Sequence, residues 1–263
     1  MISGVEVAAG ALTGLIVGLT GVGGGALMTP LLLLFFGVAP TTAVGTDLWF
    51  AALTKTAATR VHYGRGLIDW QVVRRLWLGS LTCSALTMAF LHWGVLPTGS
   101  FRFLKQAIAG AVLITSVGML FQTRLHAWGR TLRTTEPERF KAWQAPLTVL
   151  AGALLGVLVT LTSVGAGALG VVFMAHLYPL RLTPQRLVAT DIVHAIPLAI
   201  FAGIGHLVVG NVNFLLLGNL LLGSLPAVLL GATLSTRIPQ TWLRGILVVV
   251  LVVVGIKLWE AAG

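Results

Sequence analysis

Apolar segments of helical length follow one another along the whole chain, separated by short polar or glycine-rich stretches. A membrane-spanning helix needs about 20 mostly apolar residues, so this pattern predicts an all-α polytopic membrane protein. The apolar segments are residues 5–20, 25–37, 41–63, 69–95, 100–121, 146–162, 168–180, 183–208, 212–236 and 241–260. Segment 41–63 carries many polar positions, whereas 69–95 and 100–121 are strongly apolar. Residues 122–145 form the one long polar stretch, which we expect to be a loop.

Composition supports a membrane protein and excludes several other classes. Of the 263 residues, 57% are hydrophobic and 9% are charged, against about 25% charged in an average soluble domain. These values exclude an ordinary soluble enzyme, a disordered regulator and a fibrous repeat. The net charge of +10 would indicate a nucleic-acid partner in a soluble protein. In a membrane protein, basic loops that face the cytoplasm explain it, so we expect the lipid bilayer as a partner and no nucleic acid.

The positions of the basic residues predict how the chain crosses the membrane. Lys and Arg are enriched in cytoplasmic loops, and most basic residues of this chain fall into four groups between apolar segments. These groups are Arg60, Arg65, Arg74 and Arg75; Arg124, Arg130, Arg133, Arg139 and Lys141; Arg181 and Arg186; and Arg237 and Arg244. If all four groups are cytoplasmic, segment 122–145 is a cytoplasmic basic loop and both termini are periplasmic.

The same orientation requires two segments to return to the side from which they start. Segment 5–37 must begin and end outside, and segment 146–180 must begin and end inside, so each is predicted to be a helical hairpin. The tips Gly21–Gly25 and Ser163–Gly167 suit such a break, because glycine permits unusual backbone angles. The chain then has about eight spans if each hairpin is re-entrant and counted once, or about ten if both arms cross.

An internal repeat relates the two halves of the chain. A shift of 142 residues aligns the two hairpins, and a shift of 144 aligns the helices that follow, including Thr46-Asp47 with Thr190-Asp191. The predicted parts are a first membrane repeat at 1–121, the basic loop at 122–145 and a second membrane repeat at 146–263. Each repeat is a broken-helix hairpin plus three transmembrane helices.

The predicted orientation makes the two repeats inverted. One hairpin enters from outside and the other from inside, which is the architecture of many secondary transporters, with the substrate near the bilayer midplane where broken helices meet. If segment 5–37 crossed the membrane once, the repeats would instead be parallel. An inverted repeat permits import and export alike.

The glycine-rich tips are candidate anion-binding sites. The run Gly21–Ala26 matches the G-x-G-x-x-G/A fingerprint of dinucleotide binding, but no alternating strand–helix pattern follows it, so we reject that reading. Free backbone N–H groups at the starts of the half-helices 25–37 and 167–180 can bind an anion, helped by the helix dipole. The alternative is close helix packing through small residues. We prefer that packing interpretation for Gly10, Gly14 and Gly18.

Segment 41–63 places ionisable residues on one helical face. Asp47, Lys55 and His62 follow helical spacing, and ionisable groups at membrane depth mark either a transport pathway or a structural pairing. Lys55 is our candidate counter-charge for an anion, and a structural ion pair with a residue elsewhere is the alternative. The second repeat has Ala199 in place of Lys55 and gains His194, so we expect a site that is asymmetric in charge.

These patterns give two sets of candidate residues. The candidates for substrate binding are Thr20, Gly21, Val22, Gly23, Gly24, Gly25, Thr46, Lys55, Thr162, Ser163, Gly165, Gly167 and Thr190. The candidates for coupling to a proton are Asp47, Asp191 and His194. The sequence has no P-loop, no H-E-x-x-H and no convincing nucleophile triad, so we expect no enzyme activity, no catalytic residue, no cofactor and no metal site.

Three motifs resemble those of a known family. They are Gly18–Gly25 followed by Pro30, Ala43–Asp47, and Gly64–Gly66. Together they are similar to the TauE/SafE sulfite exporter family, also called toluene sulfonate uptake permeases, and the second half of the chain looks like that family too. The resemblance covers nearly the whole chain. It implies a multi-pass transporter of the bacterial inner membrane for sulfite, organosulfonates or related sulfur-containing anions.

The residues and the resemblance together favour a secondary transporter for a small sulfur-containing anion. We expect transport by alternating access, with a proton or ion as the coupling partner. One alternative is a carrier of another small anion, such as a carboxylate. An integral-membrane enzyme or scaffold is the alternative from a different class.

Overall fold

The computed structural model describes residues 2–20, 25–62, 66–94, 101–234 and 240–262. Every regular element in these residues is an α-helix, which confirms the predicted all-α polytopic membrane fold. The helices are α1 (Gly4–Thr20), α2 (Gly25–Phe35), α3 (Pro40–His62), α4 (Trp70–His92), α5 (Phe101–Thr135), α6 (Pro137–Thr162), α7 (Ala168–Leu177), α8 (Pro184–Val208), α9 (Phe214–Leu234) and α10 (Gln240–Glu260).

The described helices fall into three groups by length and polarity. Five are long and apolar enough to cross a membrane, namely α6, α8, α9 and most of α5 and α10. Helices α1, α2 and α7 are apolar but shorter, with 17, 11 and 10 residues. Helices α3 and α4 have 23 residues each but do not qualify by composition. Helix α4 is less apolar than we expected, since it carries Arg74 and Arg75 near its start and the buried hydroxyls of Ser80, Ser84 and Thr87.

Residues 122–145 are helical, which corrects the predicted loop. Helix α5 continues to Thr135 and α6 begins at Pro137, so Glu136 is the one residue between them. Proline suits the first position of a helix because it lacks an N–H group and its φ is already helical. The 35 residues of α5 span about 50 Å at about 1.5 Å per residue, more than the roughly 30 Å of a bilayer core. The basic residues therefore lie on a helical extension, and its cytoplasmic location stays a prediction.

Helices α6 and α7 form an antiparallel hairpin. The Gln144 side-chain amide donates a hydrogen bond to the Leu177 carbonyl oxygen at 2.5 Å. Thr148 and Tyr178 share a hydroxyl–hydroxyl hydrogen bond at 2.8 Å. Both contacts join the first half of α6 to the C-terminal end of α7, so the second arm returns to the level of residues 144–148 of the first arm.

The turn between α6 and α7 lies where the sequence predicts the second tip. Ser163, Gly165 and Gly167 have φ angles of 58°, 116° and 126°, in the region that favours glycine. The turn thus reverses the chain within five residues, 163–167. The first predicted tip falls between α1 and α2, and Gly21, Val22, Gly23 and Gly24 lie outside the described residues. Gly25 is the first residue of α2.

Helices of one half of the chain pack against helices of the other half. Helix α1 packs on α9, α6 on α4, and α3 on α8. A Cβ atom at Gly10, Gly14 or Gly18 would overlap the backbone of α9 at Leu220, Ser224 and Val228 in turn. This close approach confirms the packing role predicted for those three glycines. The contacted residue numbers rise along α9 as they rise along α1, so the two helices run in the same direction.

Helices α3 and α8 run antiparallel through the centre of the molecule. The Trp49 indole donates a hydrogen bond to the Gly203 carbonyl oxygen at 3.1 Å, and two turns further along α3 Lys55 faces Asp191. Residue numbers thus rise on one helix as they fall on the other. This crossing carries the ionisable residues that the sequence singles out.

Candidate substrate site

Three buried ionisable side chains gather where α3 and α8 cross beside the α6–α7 turn. Asp47 and Lys55 lie on α3, and Asp191 lies on α8; their exposed fractions are 0%, 2% and 1%. We refer to these three residues as the charged cluster. Ionisable groups at membrane depth are costly unless they pair or serve a pathway, so the partners of each one indicate its role.

Lys55 connects the α6–α7 turn to α8. Its Nζ atom donates a hydrogen bond to the Ala166 carbonyl oxygen at 2.9 Å and lies 3.8 Å from Oδ2 of Asp191. The structural ion pair that the sequence leaves as an alternative is therefore present. An ammonium group has three donors, so an anion at the turn could take a hydrogen bond from Lys55 as well.

Asp47 is hydrogen-bonded to the first half of the half-helix α2. Its Oδ2 atom accepts hydrogen bonds from the Thr29 backbone N–H at 3.2 Å and from the Thr29 hydroxyl at 2.5 Å. Backbone N–H groups and the helix dipole stabilise a carboxylate near a helix N-terminus. Thr29 is a residue of the site that sequence analysis missed, although its place soon after the first tip could have marked it as a hydrogen-bond partner.

Asp191 has no equivalent hydrogen bonds within the described residues. The shift of 142 residues that relates the hairpins places Val171 where the first repeat has Thr29, so the donor hydroxyl is lost. Within the described part of the chain, neither carboxylate oxygen of Asp191 has a hydrogen-bond partner. A Cβ atom at Gly170 would overlap Oδ1 of Asp191, so this glycine makes room for the carboxyl group against α7. The two aspartates therefore have different surroundings despite their equivalent positions.

Other polar atoms near the cluster also lack partners. The Ser163 hydroxyl lies near the Asp47 carboxyl group without reaching hydrogen-bonding geometry, and both Ser163 Oγ and Asp47 Oδ1 are unpaired among the described residues. Leaving a buried polar atom unpaired costs about 1–3 kcal/mol. These unpaired oxygen atoms leave acceptor capacity free beside the α6–α7 turn.

The turn itself offers fewer free N–H groups than the sequence suggests. The N–H groups of Leu169 and Gly170 point to the Gly165 carbonyl oxygen at 3.1 and 3.4 Å, and the Thr162 hydroxyl accepts from the N–H of Val164 at 3.1 Å. Thr162 and Gly165 thus shape the turn. The side chain of Ser163 lies near Asp47 of the charged cluster.

The structure does not bring Thr46 and Thr190 to the charged cluster. The Thr46 hydroxyl accepts a hydrogen bond from the backbone N–H of Asn213, and the Thr190 hydroxyl accepts one from the N–H of Asp69, each at 3.1 Å. Asp69 is the residue directly before α4, and Asn213 is the residue directly before α9. These threonines therefore fix helix starts of the other half of the chain, and their substrate-binding role stays a prediction.

Two further candidates have local partners. The ring of His194, one helical turn from Asp191, is fully buried and lies 3.0 Å from the Ser80 hydroxyl of α4. The Thr20 hydroxyl donates to the Ile16 carbonyl oxygen of its own helix at 2.7 Å. His194 thus faces α4, whereas Lys55 lies on α3.

An ionic network outside the cluster connects α4 to the α7–α8 loop. The Arg181 guanidinium binds both carboxylate oxygens of Asp69, at 2.6 and 2.8 Å, and Arg186 approaches the same carboxylate at 4.0 Å. Sequence analysis missed Asp69 because its partner is 112 residues away. The equivalent position in the other repeat is the uncharged Asn213. Bidentate Arg–carboxylate pairs are strong and directional, so this network ties the start of α4 to the α7–α8 loop.

Comparisons with known proteins identify relatives along almost the whole chain. The family model described as Sulfite exporter TauE/SafE matches residues 7–258. A probable membrane transporter protein of Bacillus subtilis, YjnA, is 34% identical over 254 residues, which are 95% of this chain and 96% of that protein. A second probable membrane transporter protein of the same organism, YdhB, is 26% identical over 78% of this chain and 79% of its own length. No solved structure matches the chain.

Proposed function

Because the chain belongs to the sulfite exporter TauE/SafE family and is a membrane transporter, we propose that it carries a small sulfur-containing anion, such as sulfite or a sulfonate. Transport is across the bacterial inner membrane and proceeds by alternating access. The substrate binds at the α6–α7 turn, beside Lys55 and Ser163.

The observation that carries the proposal is the buried ammonium group of Lys55, which lies beside the turn between α6 and α7. Lys55 is 2% exposed and reaches the turn through its hydrogen bond to Ala166. A positive charge held in a dehydrated place attracts an anion far more strongly than one in water. Sulfite and sulfonates present several acceptor oxygens, which suit a lysine ammonium and a serine hydroxyl.

Helix packing supports an inverted repeat around this site. With α1 to α5 taken as equivalent to α6 to α10, the contact of α1 with α9 corresponds to that of α6 with α4. Helices α3 and α8 correspond to each other and run antiparallel. Two copies related by inversion would pack in this way, and the charged cluster lies at their crossing, where such transporters bind substrate.

The ionic network of Asp69 supports alternating access. Access from the end of the crossing at Asp69 requires α4 to move away from the α7–α8 loop, which breaks the contacts of Asp69 with Arg181 and Arg186. The opposite end has the uncharged Asn213 in the place of Asp69, and Asn213 bonds to Thr46 as Asp69 bonds to Thr190. One end of the helix crossing is thus held by ionic contacts and the other by an uncharged hydrogen bond. Substrate binding at the charged cluster between the two ends would shift the equilibrium between opening at one end and opening at the other.

The proposed topology predicts the sides of two positions. A reporter fused at Arg133, on the helical extension of α5, should report a cytoplasmic location, and a reporter at the C-terminus should report a periplasmic one. The reason is the concentration of basic residues at one set of helix ends. A cytoplasmic C-terminus would contradict the inverted repeat.

Flux into proteoliposomes tests the proposed substrate. We expect the purified protein to mediate saturable uptake of labelled sulfite and of labelled methanesulfonate, compared with liposomes that lack it. Unlabelled sulfonate should compete with this uptake, and acetate should compete weakly or not at all. If acetate or succinate is carried and sulfite and methanesulfonate are not, the protein is a carboxylate carrier and the proposed substrate class is wrong.

A further inference from the structure

The charged cluster contains one more negative than positive group. Asp47 and Asp191 provide two carboxylates against the single ammonium of Lys55, and all three side chains are buried. An anion that binds Lys55 adds a further negative charge in a place where uncompensated charge is costly. Binding therefore requires one carboxylate to be neutralised.

Asp191 is the carboxylate placed to be neutralised. Asp47 keeps two hydrogen bonds from Thr29 and lies near the N-terminus of α2, and both features favour its ionised form. Asp191 has no hydrogen-bond donor within the described residues and depends on Lys55, 3.8 Å away, as its charged partner. When an anion takes the ammonium, Asp191 loses that partner.

The groups around Asp191 point to the same residue. Helix α3 presents Lys55 and Asp47. From α4, the ionisable Asp69 is held by Arg181, and Ser80 engages His194, the next ionisable residue on α8. Helices α6 and α7 border this place with Leu155 and Gly170, which do not titrate. None of these groups replaces Lys55 as a partner for Asp191.

We propose that the substrate anion and Asp191 compete for Lys55, so that each anion binds together with one proton on Asp191. In the empty site, Lys55 pairs with Asp191. On binding, the Lys55 ammonium turns to an oxygen atom of the anion, and a proton from the aqueous side bonds to a carboxylate oxygen of Asp191. This exchange keeps the charge of the site unchanged for a monovalent anion. The inference rests on the proposed anion site and identifies its coupling ion as a proton.

The position of Lys55 also argues against a metal cation as the coupling ion. Transporters with broken helices often hold Na⁺ with unwound backbone carbonyls next to acidic side chains. Here the Ala166 carbonyl and the Asp191 carboxylate surround the Lys55 ammonium. A tethered cation thus already fills the place that such an ion would take.

Calorimetric titration of the purified transporter with methanesulfonate tests this competition. Methanesulfonate does not titrate near neutral pH, so any proton taken up on binding goes to the protein. In buffers of different ionisation enthalpy, the wild-type protein should take up about one proton per anion. Its affinity should fall about tenfold per pH unit once Asp191 is ionised in the empty site, the slope of single-proton linkage. Since the bound form holds the extra proton, affinity is higher at low pH.

Three variants identify the group that takes the proton. Asp191→Asn removes the competitor, so it should bind methanesulfonate at least as tightly as the wild-type protein, with no pH slope and no proton uptake. Asp47→Asn and His194→Gln should each keep the slope of the wild-type protein, whatever their affinity. A slope that persists in Asp191→Asn, or disappears in one of the other two variants, overturns the assignment to Asp191.

The wild-type measurement separates this inference from the proposed function and does not depend on a variant that folds. Binding of methanesulfonate without proton uptake would overturn the proton exchange and leave the anion site standing. Absence of binding by both methanesulfonate and sulfite would overturn the anion site and the inference with it.

Discussion

Replacement of Lys55 by alanine is expected to abolish binding of methanesulfonate. The anion would then enter a buried place that keeps the Asp47 and Asp191 carboxylates and has lost its ammonium. Truncating one partner of a buried, hydrogen-bonded charge pair costs about 2–5 kcal/mol of binding free energy, which corresponds to roughly one to four orders of magnitude in affinity. Calorimetry on the purified variant measures the loss, and wild-type affinity in Lys55→Ala would place the substrate elsewhere.

Two further variants separate binding from folding. Lys55→Ala leaves Asp191 buried without its ionic partner, so a loss of folded protein could mimic a loss of binding. The double variant Lys55→Ala with Asp191→Asn removes both charges and should be monodisperse in detergent, yet still fail to bind. Lys55→Arg keeps the positive charge and should retain part of the affinity. If Lys55→Arg and Lys55→Ala bind equally well, charge at this position does not attract the substrate.

Replacement of Gly223 by alanine is expected to lower the stability of the folded protein. Gly223 lies on α9, where a Cβ atom would overlap the backbone carbonyl oxygen of Val7 and lie 2.8 Å from the backbone nitrogen of Ala11. A helix backbone cannot move aside as a flexible side chain can, so the added methyl group would push α1 and α9 apart. Such overpacking costs about 1–3 kcal/mol and should lower the melting temperature in detergent.

Gly218→Ala on the same helix is the matched control. A Cβ atom there would meet no heavy atom within 4 Å, and alanine favours a helix over glycine by up to about 1 kcal/mol. Its melting temperature should therefore equal or exceed that of the wild-type protein. If Gly223→Ala behaves in the same way as Gly218→Ala, the close contact between α1 and α9 is absent from the protein in detergent.

Local sequence pattern predicts much of the fold and less of the site. Apolar length located the helices, and the break at Ser163–Gly167 was visible because glycine at positive φ is a local property of the chain. The loop predicted at 122–145 was wrong because polarity indicates exposure to water and does not distinguish a loop from a helix that leaves the membrane.

Contacts between residues that are far apart in the sequence could not be derived from the spacing of residues along the chain. Lys55 and Asp191 are far apart in sequence and meet because α3 and α8 cross. Thr46 was expected to bind substrate, but its hydroxyl fixes Asn213 before α9. The predicted internal repeat made the two aspartates look equivalent, but Thr29 bonds to Asp47 and the position 142 residues later is Val171, which has no hydroxyl.

The location of a bound sulfonate tests the anion site most directly. Crystals of the protein grown with 2-bromoethanesulfonate would reveal the ligand through the anomalous scattering of bromine. We expect the sulfonate group beside Lys55 and the α6–α7 turn, with the bromine peak close by, and we expect the peak to be absent from crystals of Lys55→Ala. An ordered bromine peak elsewhere in the molecule, or the same peak in Lys55→Ala, would contradict a substrate site at the charged cluster.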